Sequence, residues 1–256
     1  MNMEPKPNQV EIKPPAVPMT AEPITGPKLG QVDSDDGGLG REVAETLARM
    51  QQSAKSNSAQ RDAFLAREEK MRLEQAARMF LEGDPPRRNA RVDPASLDRS
   101  GKWGKLEQHV LAALGKGFLF CLLGTRGCGK TQVAVEAMRA VAGKLRTVKF
   151  CTVMAFFMDV KAGYGHPDNP SEKQVFEAYR KPSLLVVDEA GQRSESEWEN
   201  RLLGELFNAR YNDCKDTLLI SNQNVGEVEA SLGPSLISRM QETGAIIECH
   251  WKSYRE

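Results

Sequence analysis

Apolar residues in this chain gather in short runs, set between longer stretches where apolar and polar positions repeat at helical spacing. The runs at 118–123, 146–152, 183–187, 217–220 and 245–249 predict five strands. Around them WGKLEQHVLAALG, TQVAVEAMRAVAG, VMAFFMDVKAGYG, SEKQVFEAYR, ESEWENRLLGELFNARY, GEVEASLG and GPSLISRMQETG predict helices. In the longest of these, Trp198, Leu202, Leu203, Leu206 and Phe207 fall on one side. Strand and helix in alternation predict an α/β fold, a parallel sheet flanked by helices on both faces.

Ahead of this region the pattern changes twice. Residues 1–40 hold half of the 14 prolines, a DSDDGGLG run and no aromatic residue. Such a segment buries too little apolar surface to offset the entropy of ordering, so it reads as a disordered tail. Residues 41–83 are rich in Glu, Ala, Arg, Gln, Leu and Met. Val43, Leu47 and Met50 keep helical spacing, as do Phe64, Met71 and Leu73 with Ala76, Ala77 and Phe80. A polar break at 53–58 predicts two helices, a hairpin that packs on the main domain or offers its apolar face to a partner. Residues 84–102 read as a basic linker, carrying Arg87, Arg88, Arg91, Arg99 and Lys102 against Asp84, Asp93 and Asp98. It either touches phosphate backbone or is simply solvated. The main domain is expected over 103–256.

Composition narrows the function classes. Lys plus Arg and Asp plus Glu number 35 each, so bulk charge predicts neither solubility trouble nor nucleic acid, and any nucleic-acid surface must come from local clustering. The five cysteines form no C-x-x-C pair, and three lie in or beside apolar runs, as buried thiols of a reducing compartment do. Three scattered histidines offer no zinc-ligand spacing. No apolar run approaches the roughly 20 residues of a membrane span, and no leader peptide is visible, so a cytoplasmic protein is expected.

The chemistry concentrates at 118–131, FLFCLLGTRGCGKT. A strand, the pattern Gly124-x-x-x-x-Gly129-Lys130-Thr131 and a helix follow one another, the context in which a P-loop works. Gly124, Gly127, Cys128, Gly129, Lys130, Thr131 and Gln132 are the expected nucleotide-binding residues. Backbone N–H groups of the loop would cradle phosphate, Lys130 would reach the β- and γ-phosphates of ATP, and Thr131 would sit on Mg²⁺. The strand at 183–187 runs into Asp188 and Glu189. There Asp188 would complete the Mg²⁺ shell and Glu189 would polarise the attacking water, or form a structural ion pair. Asn222, at the tip of the fourth strand, would hold that water in line or cap the next helix.

With these pieces in line, residues from about 100 to 256 resemble the AAA+ ATPase domain of DnaC-type helicase loaders and, further off, the transposition helper IstB. The carrying segments are GTRGCGKT at 124–131, LLVVDEAGQRSESEWE at 184–199, LLISNQN at 218–224, LGPSLISRM at 232–240 and the closing HWKSYRE. The resemblance implies an AAA+ core whose ATP site is completed by a neighbouring subunit. Arg239 then matches the arginine finger, Asn222 the sensor and Glu189 the general base. It also implies single-stranded DNA contacts at Tyr164, Ser196 and Trp198, although Trp198 equally suits the core. Only 32 residues follow Asn224, too few for a full C-terminal lid.

The expectation is therefore an ATP-hydrolysing helicase loader of DNA replication. It would bind single-stranded DNA and a replicative helicase and self-associate with ATP, with no membrane partner. An IstB-like transposition helper and a nucleotide-gated adaptor with little hydrolysis are the alternatives.

Overall fold

The strands at 119–123, 184–187 and 216–221 are buried on both faces, and the architecture follows from that. The computed structural model describes residues 39–163, 168–194 and 196–254. In chain order its elements are α1 (Leu39–Glu82), α2 (Arg87–Ala90), α3 (Lys102–Ala113), β1 (Leu119–Leu123), α4 (Lys130–Ala142), β2 (Val148–Thr152), α5 (Val153–Ala162), α6 (Glu172–Arg180), β3 (Leu184–Asp188), α7 (Glu197–Asn212), β4 (Asp216–Ser221), α8 (Val225–Leu232), α9 (Pro234–Thr243) and β5 (Ile246–Glu248). The strands form one parallel sheet in the order β2-β3-β4-β1-β5.

Alternate residues of each strand serve opposite layers. Phe120, Leu122, Leu184, Val186, Leu218 and Ile220 pack with α3 and α4. Leu119, Cys121, Leu123, Leu185, Val187 and Leu219 pack with α5 to α9. Because both faces are covered, the strands read as near-continuous apolar runs. The sheet order also brings the C-terminal ends of β3, β4 and β1 side by side, at a point where chain direction of travel across the sheet reverses; ligands of open α/β sheets bind at such points.

Arg210 of α7 ties the opposite end of the sheet. It is fully buried and donates to the carbonyls of Tyr179 (3.1 Å), Arg180 (2.7 Å), Pro182 (2.9 Å) and Asp216, and to Thr217 Oγ1 (2.9 Å). Burial pulls its guanidinium down to about 10. The Asp216 carboxylate accepts from the backbone N–H groups of Gly115 (2.6 Å) and Gly117 (2.8 Å), fixing the entry to β1.

The expected helical hairpin is a single helix. α1 runs unbroken from Leu39 to Glu82. The polar stretch at 53–58 contains no Gly or Pro, and Ser, Asn and Lys cost a helix only a few tenths of a kcal/mol each. The chain divides into two compact units at Ala59/Gln60. In the first, the described part of α1 exposes Val43, Leu47 and Met50. In the second, the end of α1 buries Phe80 under the Arg139 guanidinium, 4.6 Å from the ring centroid. The Gly83 carbonyl just beyond accepts from Phe150 N–H of β2 at 2.7 Å.

Residues 84–102 fold against α4: Arg139 donates to the Ala90 carbonyl, and Arg99 holds the buried Glu107 of α3 at 2.6 Å. Four cysteines (Cys121, Cys128, Cys151 and Cys249) are buried and Cys214 is exposed. Among the described residues no helix is long and apolar enough to cross a membrane.

Candidate nucleotide-binding site

The loop between β1 and α4 needs glycine at two of its positions for steric reasons. Gly124 has φ 135°, and a Cβ there would lie 2.7 Å from the Cys249 carbonyl oxygen. Gly129 has φ 90°, and a Cβ would meet Trp103 Nε1 at 2.6 Å. Both are backbone shapes that L side chains resist. Residues of the loop and the first turn of α4 line a cavity of about 690 Å³, within the range of small-molecule sites.

Lys130 is buried, and its Nζ donates to the carbonyls of Gly124 (2.6 Å) and Thr125 (2.9 Å) and to Asn222 Oδ1 (3.1 Å). Thr131 Oγ1 donates to Asp188 Oδ2 at 2.8 Å. Asp188 Oδ1 accepts from Glu189 N–H at 2.7 Å. Burial raises the Asp188 carboxyl above its ordinary 3.8, against the Thr131 and Glu189 hydrogen bonds and the Lys130 charge that lower it. A hydroxyl and a carboxylate oxygen this close are a fitting pair for Mg²⁺, which takes hard oxygen donors and keeps several from phosphate and water.

Glu189 has a left-handed backbone, φ 58°, an unfavourable shape for a non-glycine residue, held by Ala190 N–H on the Ile220 carbonyl (3.0 Å) and Gln192 N–H on its own carbonyl (2.8 Å). Its exposed side chain lines the same cavity. Of the two readings of Asn222, helix capping belongs instead to Asn224, which accepts from Glu227 N–H at 2.9 Å in a full capping box.

The cavity thus brings together Gly127, Gly129, Lys130, Thr131, Gln132, Asp188, Glu189 and Asn222. Gly124 and Cys128 form the loop without lining the cavity. Arg239 lies elsewhere, on α9, bonded to Asn208 Oδ1 and 5.0 Å from the Tyr211 ring centroid. Ser196 caps α7 by accepting from Glu199 N–H at 3.3 Å. Trp198 is half-buried against Phe157, with Lys161 Nζ 4.9 Å from its ring centroid. Tyr164 lies outside the described residues.

Several lining residues were not among those expected. Asn89, Val92, Leu97 and Trp103 supply a wall from the segment before β1, and Arg126 and Tyr254 supply the rim. Asn89 Nδ2 donates to Gln132 Oε1 at 2.9 Å, and Gln132 Nε2 to Glu136 Oε1 at 2.9 Å. Tyr254 N–H donates to the Gly127 carbonyl at 3.0 Å. The one signal in the sequence was a lone tryptophan ahead of a P-loop strand.

A parallel sheet whose first strand opens into a P-loop, with an adjacent carboxylate on its threonine, defines a P-loop nucleotide-binding domain. The model of the IstB-like ATP binding protein family matches residues 116–256, more than half of the chain, and the protein belongs to that family. It is 26% identical over 152 residues to the replicative helicase loader DnaC of Escherichia coli strain K12, covering 59% of this chain and 62% of the relative. The DnaC of Buchnera aphidicola subsp. Baizongia pistaciae is 24% identical over 138 residues, 54% of this chain and 56% of that one. The chain therefore spans less than two thirds of these relatives. Among solved structures, DnaI superposes with a TM-score of 0.52 at 17% identity, over 66% of this chain and 93% of that one. The replication initiator DnaA bound to AMPPCP and single-stranded DNA gives 0.51 at 20% identity, over 62% and 50%.

Proposed function

We propose that this protein is an ATP-hydrolysing loader of a replicative DNA helicase. The observation that carries the reading is the pairing of Thr131 with Asp188 at 2.8 Å beside Lys130 and Asn222 at 3.1 Å, with Glu189 at the cavity rim. ATP would lie with its phosphates on the Gly124–Thr131 loop. Bound Mg²⁺, held by Thr131 and Asp188, would neutralise phosphate charge. Glu189 would orient and polarise the attacking water as general base, and Asn222 would keep that water in line. Lys130 would exchange its contacts with loop carbonyls for phosphate oxygens.

Arg239 lies outside its own chain's cavity, which supports a role toward the γ-phosphate of a neighbouring copy. Such fingers are worth about 10³–10⁵ in rate. The exposed apolar residues along 41–83 suit docking on the helicase. Tyr164, Ser196 and Trp198 would contact single-stranded DNA, aromatic stacking contributing about 1–3 kcal/mol per base. Hydrolysis would then release the loader, nucleotide state setting an assembly equilibrium.

The name of the matching family favours a second reading, an IstB-like helper of transposition acting on duplex DNA. ATP turnover by wild type and Arg239→Ala, with no DNA, single-stranded DNA or duplex, tests both. The loader reading expects stimulation or inhibition by single strands and loss of turnover in the variant with binding retained. A response to duplex alone favours the transposition helper. Equal turnover by both proteins sinks the shared site.

A further inference from the structure

The segment after β5 touches β1 and the phosphate loop at three places, and nothing in the proposed hydrolysis uses it. Cys249 N–H donates to the Leu123 carbonyl at 2.7 Å, where β1 gives way to the loop. Trp251 Nε1 donates to the Cys128 carbonyl at 2.9 Å. Tyr254 N–H donates to the Gly127 carbonyl at 3.0 Å. The Trp251 indole is half-buried against the core cluster that includes β1 and α4 residues, so apolar packing anchors the ring that makes the polar contact. The Tyr254 ring is exposed and lines the cavity, its Cδ2 3.7 Å from where a Cβ on Gly129 would stand.

These contacts fall on successive peptide units. The carbonyls of Gly127 and Cys128 are held by Tyr254 and Trp251, and the next, that of Gly129, accepts from Trp103 Nε1. All three units are trans, and in a planar trans unit the C=O and the following N–H point in opposite directions. The N–H groups of Cys128, Gly129 and Lys130 therefore point away from the three donors. They are among the N–H groups that a P-loop offers to phosphate. Each of the first two units has a glycine on one side, Gly127 or Gly129, and glycine tolerates either sign of φ. A unit released from its donor is free to rotate and to turn a carbonyl oxygen, in place of an N–H, toward an anionic ligand.

We propose that residues 249–254 are a clamp that presets the phosphate cradle, with Trp251 and Tyr254 as its positioning residues. Trp251 acts through its indole N–H and Tyr254 through its backbone N–H. The entropy of fixing the two peptide planes is then met on folding and not on binding, which raises affinity without any contact to the ligand. The effect rests on the loop being the nucleotide site.

The test uses the full chain and reads displacement of a fluorescent ATP analogue by ATP and by inorganic tripolyphosphate, well below each variant's unfolding temperature. Trp251→Phe removes the indole N–H. A second protein carries benzothienylalanine at 251, close to indole in shape and lacking the N–H, so packing is kept. Both should bind ATP and tripolyphosphate more weakly by a similar factor, about three- to tenfold for one lost hydrogen bond. Tyr254→Pro, which loses the backbone N–H, should do the same, whereas Tyr254→Ala retains it and should hold tripolyphosphate as wild type does. A merely structural Trp251 would lower the melting temperature and leave both affinities alone. Unchanged affinity for either ligand in the benzothienylalanine protein would overturn the proposal, and a loss confined to ATP would place Trp251 at the base instead. Wild type that binds neither ligand sinks the nucleotide-site reading itself; wild type that binds both, with variants that bind equally well, sinks only the clamp.

Discussion

Trp103 Nε1 donates to the Gly129 carbonyl at 3.1 Å, joining the helix before β1 to the phosphate loop. The indole is almost wholly buried and fills the space that a Cβ on Gly129 would need. Trp103→Phe keeps most of the apolar contact and loses the hydrogen bond, a cost of about 1 kcal/mol. Trp103→Ala should cost about 3–5 kcal/mol. Thermal unfolding reads both. Nucleotide titration should show weaker binding for the Phe variant at temperatures where it is folded, because the loop has lost a strut.

Binding and turnover should separate by residue. Lys130→Ala removes the cation that would meet phosphate and should abolish nucleotide binding itself. Glu189→Gln retains size and hydrogen bonding, so binding should survive while turnover falls by about 10²–10⁴-fold. Equilibrium binding beside single-turnover hydrolysis tells the two apart, and equal loss of binding in both would show that Glu189 is structural.

Arg210 should prove a stability residue and nothing more. Arg210→Met leaves four backbone carbonyls and Thr217 Oγ1 without their donor, and unsatisfied buried groups cost about 1–3 kcal/mol each, not additively. A fall of about 3 kcal/mol or more is expected in denaturant unfolding. Lysine should not rescue it, since one ammonium cannot reproduce the five-donor fork. At low temperature the variant should bind nucleotide normally.

Asp188 sets a pH dependence opposite in sign to that of a salt-bridged aspartate. Its folded pKa is raised by burial, so between 3.8 and the folded value the native state binds more protons than the unfolded one. Stability is present below the unfolded value and lost as pH rises through the folded one. Glu136, raised for the same first cause, acts in the same direction. In chelator, Asp188→Asn should therefore be more stable than wild type at neutral pH, with a flatter pH profile of Tm. The same variant should lose Mg²⁺-dependent turnover.

The sheet and the phosphate loop were legible because their signals are local. A strand covered on both faces is apolar along most of its length, and a loop that turns on glycine must carry it at fixed spacing. What could not be read depends on contacts distant in sequence. Trp103 and Asn89 reach the cavity only because 84–102 folds back on α4, and nothing in a run of arginines and aspartates announces that. The expected break in α1 overweighted serine and asparagine, whose helix penalty is small where no glycine or proline intervenes. Asn222 and Asn224 differ by two residues, and only the start of α8 decides which one caps it.

The Gly83 carbonyl on Phe150 N–H has a practical consequence. β2 is an outer strand of the sheet, and the residues after α1 occupy part of its open side. A fragment begun at residue 103 would lose that cover together with Asn89 and the Arg139–Phe80 contact, leaving a bare strand edge of the kind that pairs with other chains. A fragment begun well ahead of Phe80 keeps all three, and is the piece to express.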